Sequence, residues 1–263
     1  MATMGDVGST ALITGASAGI GAEFARQLAA QGRPLVVVAR RGDRLEEIAK
    51  TLAAPCEVMV ADLATEAGLS LVERRIEKGD VDLLVNNAGF GTRGLFWEAD
   101  SEGQDRMHRL HVMAAMRLCR AALPHMVRRG RGGIINVSSV AAFGRTPGNA
   151  SYCATKAWMN AFTEGLYMEL RVRDSGVKVQ ALCPGFTYTE FHDVVGVDRS
   201  LAPKGWWLTA EQVVADSLRG LERGRLIVIP GLRYRLLVQL LKHLPDSWRI
   251  HGAIRHSRRM KRI

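Results

Sequence analysis

The chain reads as a single-domain α/β protein, a Rossmann-type doubly wound parallel sheet of about seven strands with helices on both faces. Three observations predict it. Short β-branched runs alternate with helix-length segments along the chain; the runs are almost continuously apolar, as strands covered on both faces require; and the conspicuous motifs fall at strand ends.

Taken in order, the strands are expected over 10–16, 34–39, 56–63, 81–89, 132–139, 177–185 and 225–231. Between them "GAEFARQLAAQG", "RLEEIAKTLAA" and "SYCATKAWMNAFTEGLYMELRVRDSG" carry helical periodicity, and Gly32 and Gly176 stand where helix C-caps are expected. In such a sheet a ligand sits beyond the C-terminal strand ends, where the strand order reverses. We divide the chain into a dinucleotide-binding catalytic domain over 1–230, with a substrate lid at about 186–209, and a basic amphipathic extension over 231–263.

With 263 residues and 47% hydrophobic content the chain can bury a full core. No apolar run approaches the roughly 18 residues of a membrane span. The first residues lack the basic and apolar regions of a secretion signal, so a cytoplasmic setting is expected. Cys56, Cys119, Cys153 and Cys183 lack paired spacing, which favours reduced thiols and no metal. The positive charge is concentrated at the end: Gly231–Ile263 holds nine Lys/Arg against Asp246, while 1–230 holds 27 against 25 acids. No nucleic-acid partner is expected of the main body.

"TGASAGIG" (14–21) follows the first strand and opens the first helix. Gly15, Gly19 and Gly21 let the backbone turn sharply and approach a pyrophosphate at the helix N-terminus. The loop lacks the Lys-Ser/Thr of an ATP-binding loop. The second strand ends at Ala39, followed by Arg40 and Arg41. A carboxylate that would repel a ribose 2′-phosphate is missing, and guanidinium groups are present to pair with one, so NADP(H) is the expected cofactor. The alternative is that one or both arginines merely start a solvated helix, Arg41 more readily than Arg40.

Tyr152 and Lys156 lie four apart on a helix and therefore on one face. An ordinary tyrosine, with a pKa of about 10, is a poor proton carrier at neutral pH. An ammonium within about 4–6 Å favours the phenolate and is expected to draw that pKa down.

With "TGASAGIG", "NNAG" (86–89), "SS" (138–139), "Y-C-A-T-K" (152–156) and "PGFTYT" (184–189) in this order, residues 10–230 resemble the short-chain dehydrogenase/reductase family. The resemblance implies an oxidoreductase acting on CH–OH/C=O groups, with Tyr152 as general acid/base, Lys156 also holding the nicotinamide ribose, and Ser139 binding the reacting oxygen. Ser139 has the family's spacing, thirteen residues before Tyr152; Ser138 reads as a strand residue. It implies further cofactor contacts from Gly15, Ser17, Gly19, Ile20 and Gly21, from Arg40, and from Asp62 and Leu63 at the adenine ring. Asn87, Ala88 and Gly89 would back the cofactor, and Pro184, Gly185, Thr187 and Thr189 would meet the nicotinamide carboxamide.

The family usually has an asparagine where this chain has His111. Three roles stay open for it: keeping a water-mediated proton path, changing its pH dependence by titrating near neutrality, or filling space.

Phe186, Phe191, Leu201, Trp206 and Trp207 give the lid an apolar lining, which points to a hydrophobic acyl- or lipid-like carbonyl substrate; aromatics packing the lid onto its own domain or a partner subunit explain the pattern equally well. In the extension, Leu236, Leu237, Leu240, Leu241 and Leu244 form a helical stripe with Arg233, Arg235 and Lys242 off it. Packing on a neighbouring subunit, with a disordered tip over 255–263, is favoured; peripheral attachment to an anionic membrane through 233–263 is the alternative. Family kinship implies a homodimer or homotetramer. The rival reading of the whole chain is a non-catalytic NADPH-binding regulator or membrane-associated scaffold.

Overall fold

The computed structural model describes residues 10–92, 94–190 and 203–259. Seven parallel strands form one sheet: β1 (Thr10–Thr14), β2 (Leu35–Ala39), β3 (Cys56–Val60), β4 (Val81–Asn86), β5 (Gly133–Val137), β6 (Lys178–Leu182) and β7 (Ile227–Val228), in the order β3-β2-β1-β4-β5-β6-β7. The order reverses between β1 and β4, so a crevice opens beyond their C-terminal ends.

Alternate residues of each central strand feed opposite faces. Ala11 and Ile13 of β1 join Phe24 and Leu28 of α1 (Gly19–Ala30) and Val213, Val214 and Leu221 of α7 (Ala210–Glu222). Leu12 faces the other way, toward Val72 of α3 (Glu66–Ile76) and Leu118 and Met126 of α5 (Ala115–Arg129). Phe24, Leu28 and Leu118 are almost wholly buried, and each such side chain contributes on the order of 1.5–3 kcal/mol through lost water contact. The remaining helices are α2 (Gly42–Thr51), α4 (Ser101–His108), α6 (Ala150–Val172), α8 (Leu232–His243) and α9 (Asp246–Arg259). A π-helical stretch, Arg109–Ala114, joins α4 to α5.

Three local expectations change. Gly176 does not cap α6: the left-handed residue after that helix is Asp174, at φ 48°. Gly176 is needed for space, because a Cβ there would overlap the carbonyl oxygen of Gly130. The last strand shrinks to two residues, pairing with Ala181 and Leu182 before Pro230 and Gly231 end the run. The chain's end, expected to be disordered from 255, is helical as far as Arg259.

Candidate active site

The turn after β1 builds the floor of the crevice. Gly15 and Gly19 have φ of 67° and 56°, the left-handed region that side chains avoid, and a Cβ on Gly21 would overlap the Gly15 carbonyl oxygen. The Asn87 side-chain amide donates to the carbonyls of Thr14 (2.9 Å) and Gly15 (3.2 Å), and the Thr14 hydroxyl oxygen accepts from the N–H groups of Asn87 and Ala88. Asn87 thus ties the loop after β4 to the glycine turn. Thr189 crowns the turn, against Gly19.

Ser17 and the arginines after β2 form one end. Arg41, the N-cap residue of α2, donates to the Ser17 hydroxyl through Nη2 at 3.1 Å and also pairs with Glu190 at 3.1 Å. Arg44 meets the other oxygen of Glu190 at 2.6 Å. Arg41 therefore does more than start a helix, against the alternative reading of it, and both Arg40 and Arg41 line the same cavity. Burial alone would raise the carboxyl of Asp62, but Arg106 of α4 at 2.7 Å, the Ala64 N–H and the nearby Arg40 hold it below its usual range.

At the other end, β5 delivers Ser139 and α6 delivers Tyr152 and Lys156. Ser138, buried, donates to the Lys156 carbonyl at 2.9 Å, and Lys156 Nζ donates to the Val137 carbonyl at 2.8 Å. These bonds pin the first turns of α6 to the end of β5. Ser139 accepts from the Ala141 N–H at 3.1 Å. Burial pushes the Tyr152 phenol up to about 12, opposed by the neighbouring Ser139 hydroxyl, and pushes Lys156 down to about 8. The expected fall in the tyrosine's pKa is absent here, because the ammonium lies 5.8 Å from the ring centroid with Val137 as its partner, and desolvation outweighs its field.

His111 lies in the π-helical stretch, fully buried, its ring edge-on to Tyr152. Nε2 accepts the Phe90 N–H at 3.2 Å. Nδ1 lies 3.0 Å from the Thr155 hydroxyl, which already donates to the Tyr152 carbonyl, so the Nδ1–H tautomer satisfies every atom. Desolvation first, then the charge of Lys156, holds the imidazole neutral, far below its ordinary pKa. It is a neutral tie between the loop after β4 and α6; titration near neutrality does not apply.

Gly15, Ser17, Gly19, Arg40, Arg41, Asn87, Ser139, Tyr152 and Lys156 line one cavity of about 1040 Å³, and His111 lies behind its wall. Asp62, Leu63, Ala88, Gly89, Ile20, Pro184, Gly185, Thr187, Phe186 and Trp206 are on its wall. Trp207 is not: it is buried against Phe186 and stacked on Tyr188 at 4.9 Å. Phe191 and Leu201 lie outside the described residues. Sequence reasoning missed Arg106 and the whole contribution of α8 and α9. Tyr234 of α8 accepts the Phe186 N–H at 2.9 Å and donates to the Trp206 carbonyl at 2.7 Å, its ring filling the space a Gly185 side chain would need. Leu237, Val238, Leu241 and Leu244 then wall the cavity, whereas Leu236 and Leu240 of the expected stripe are exposed at 62% and 58%. The signal was the spacing of Tyr234 with Val238 and Leu241, hidden among five leucines.

A dinucleotide fits this crevice. The glycine turn leaves a cradle that any Cβ would close, opened toward the N-terminus of α1, with cationic groups at one end and the Ser139–Tyr152 pair at the other. Fold and crevice together define an NAD(P)-dependent oxidoreductase, and the comparisons with known proteins give its family. The family model for short chain dehydrogenases matches residues 9–199, and the chain belongs to that family. It is 34% identical to the short-chain dehydrogenase of Sphingobium yanoikuyae solved in complex with NADPH, over 97% of this chain and 96% of that one, with a TM-score of 0.79. The bulky-bulky ketone specific alcohol dehydrogenase of Comamonas testosteroni is 31% identical, over 97% and 94%, with a TM-score of 0.75. The 3-oxoacyl-acyl-carrier-protein reductase FabG of Rickettsia bellii is 32% identical over 78% of this chain and 86% of its own length. The protein acts on CH–OH/C=O groups, and no helix among the described residues is long and apolar enough to cross a membrane.

Proposed function

We propose that the protein is an NADPH-dependent reductase interconverting a bulky hydrophobic ketone and its secondary alcohol, with Tyr152 as the general acid/base. The observation that carries this reading is that Ser139 and Tyr152 stand on the wall of one cavity, with Lys156 on the same wall one turn further along α6. When bound, the reduced nicotinamide supplies the hydride equivalent. Ser139 orients the carbonyl oxygen by hydrogen bonding and stabilises its growing charge. Tyr152 delivers its phenolic proton to that oxygen; burial keeps the phenol protonated, and positive charge brought close to it would draw its pKa back toward the working range. Lys156 has two N–H groups beyond the one given to Val137, available for ribose hydroxyls, and its charge stabilises the phenolate left behind.

The preference for a 2′-phosphate rests on Ser17, Arg40 and Arg41. The competing Arg41–Glu190 pair is 45% and 42% exposed, and such pairs are weak enough for a phosphate to displace. Support also comes from the NADPH complex and the bulky-ketone dehydrogenase among the similar structures. Self-association as a homodimer or homotetramer belongs to the same reading, supported by Met168 and Val172 standing exposed on α6. Equilibrium titration tests the cofactor: NADPH should bind more tightly than NADH, and Arg41→Ala should weaken NADPH about tenfold or more while leaving NADH unchanged. Equal affinities in the unaltered protein would overturn the preference.

A further inference from the structure

The cavity extends well past the space beside Tyr152, and its two ends differ in charge. At the cofactor end its acids, Asp62 and Glu190, are each paired with arginine. At the substrate end, among the described residues, the wall carries Arg145, Arg249 and His256 and no carboxylate. Arg145 comes from the loop after β5 and Arg249 from α9, so two separate elements bring guanidinium groups to one mouth. Leu237, Leu241 and Leu244 of α8 and the segment after it give the wall an apolar side, with Thr146 and Asn149 of the loop after β5 also on it.

Arg249 is only 16% exposed, and its ion-pair partner is Asp246, one turn earlier at 2.6 Å and 83% exposed. A surface pair of this kind is weak. The carboxyl of Asp246 is held low by Arg249 first and also feels Arg145. Two guanidinium groups therefore share one solvent-facing carboxylate that is not itself on the cavity wall, and the mouth stays net positive. Low-dielectric walls concentrate such a field, and a guanidinium fork matches the paired oxygens of an acid.

We propose that the substrate carries an anionic terminus, a carboxylate or a phosphate, at the end remote from its carbonyl, and that Arg249 with Arg145 selects it. This rests on the reductase reading for the position of the carbonyl. The substrate is then an amphiphile: an oxygen at Ser139 and Tyr152, an apolar stretch along α8, and an acid at the start of α9.

Binding tests this without turnover. The NADPH-loaded protein is titrated calorimetrically with decanoate, methyl decanoate and decyl phosphate at low salt. At least one anion should bind about tenfold or more tightly than the ester, the scale of one charged hydrogen-bonding pair; the tighter of the two names the headgroup. Arg249→Met should bring the anion to the level of the ester and leave ester binding unchanged. Arg145→Met, on a different element, should lower anion binding in the same direction, so a misfolded α9 variant does not decide the matter. Equal binding of acid and ester by the unaltered protein, no measurable binding of any probe, or an anion preference surviving both substitutions would overturn the proposal. Because no probe is a ketone, failure here leaves the reductase reading intact, and a failed ketone assay leaves this result readable.

Discussion

Tyr152 and Lys156 sit one helical turn apart, and burial moves both away from the ionised forms, up to about 12 for the phenol and down to about 8 for the amine. The phenol is therefore protonated at every ordinary pH, and the ammonium sets the upper limit. Lys156 is charged below about 8 and loses its proton above it, so carbonyl reduction should hold level below that pH and decline as pH rises through it. Lys156→Arg, whose guanidinium stays charged, should move the decline upward; a flat profile to pH 10 or so would contradict the assignment. His111 is neutral throughout, so no inflection should appear near the ordinary histidine range. His111→Ala should cost roughly 2–4 kcal/mol in urea unfolding, by leaving a cavity and an unsatisfied Phe90 N–H. The sequence exposed Tyr152 and Lys156 through their spacing, and His111 through its place in the family resemblance. It could not expose their acidities, which depend first on the depth of burial, a property of the folded packing with no local signal.

Among the elements, α6 was legible because its own periodicity and the Y-x-x-x-K spacing coincide. The role of Gly176 was not, since the clash that demands glycine there comes from Gly130, far away in sequence. The same holds for α8. Its leucines announce an amphipathic helix, but which face is buried depends on Tyr234 docking to the loop after β6. Tyr234→Phe keeps the ring and removes both hydrogen bonds to Phe186 and Trp206. We expect the NADPH Kd to change little, kcat to fall a few-fold and KM for ketones to rise, as the wall beside Gly185 loosens. Unchanged kinetics in steady-state assays would show that α8 is held by packing alone.

For the molecule as a whole, seven apolar runs and their alternation with helices sufficed to anticipate a parallel sheet, because only strands covered on both faces need such composition. The crossing point between β1 and β4 follows from that topology, and with it the place of the glycine turn, the "NNAG" loop and the end of β5. What stayed hidden is the closure of the crevice by the last two helices, a long-range arrangement that composition reports only as a basic tail. If copies pack through the exposed apolar side chains of α6, sedimentation should give a dimer or tetramer, and Met168→Glu with Val172→Glu should shift it toward monomer; a wild-type monomer at micromolar concentration would refute self-association. The most direct measurement pairs two readouts on one variant. For Tyr152→Phe, NADPH-dependent reduction of a bulky ketone should drop by about a hundredfold to ten-thousandfold while the NADPH Kd stays within a few-fold of the unaltered protein. Full activity in that variant, with the cofactor still bound, would contradict the assignment of the phenol as proton donor.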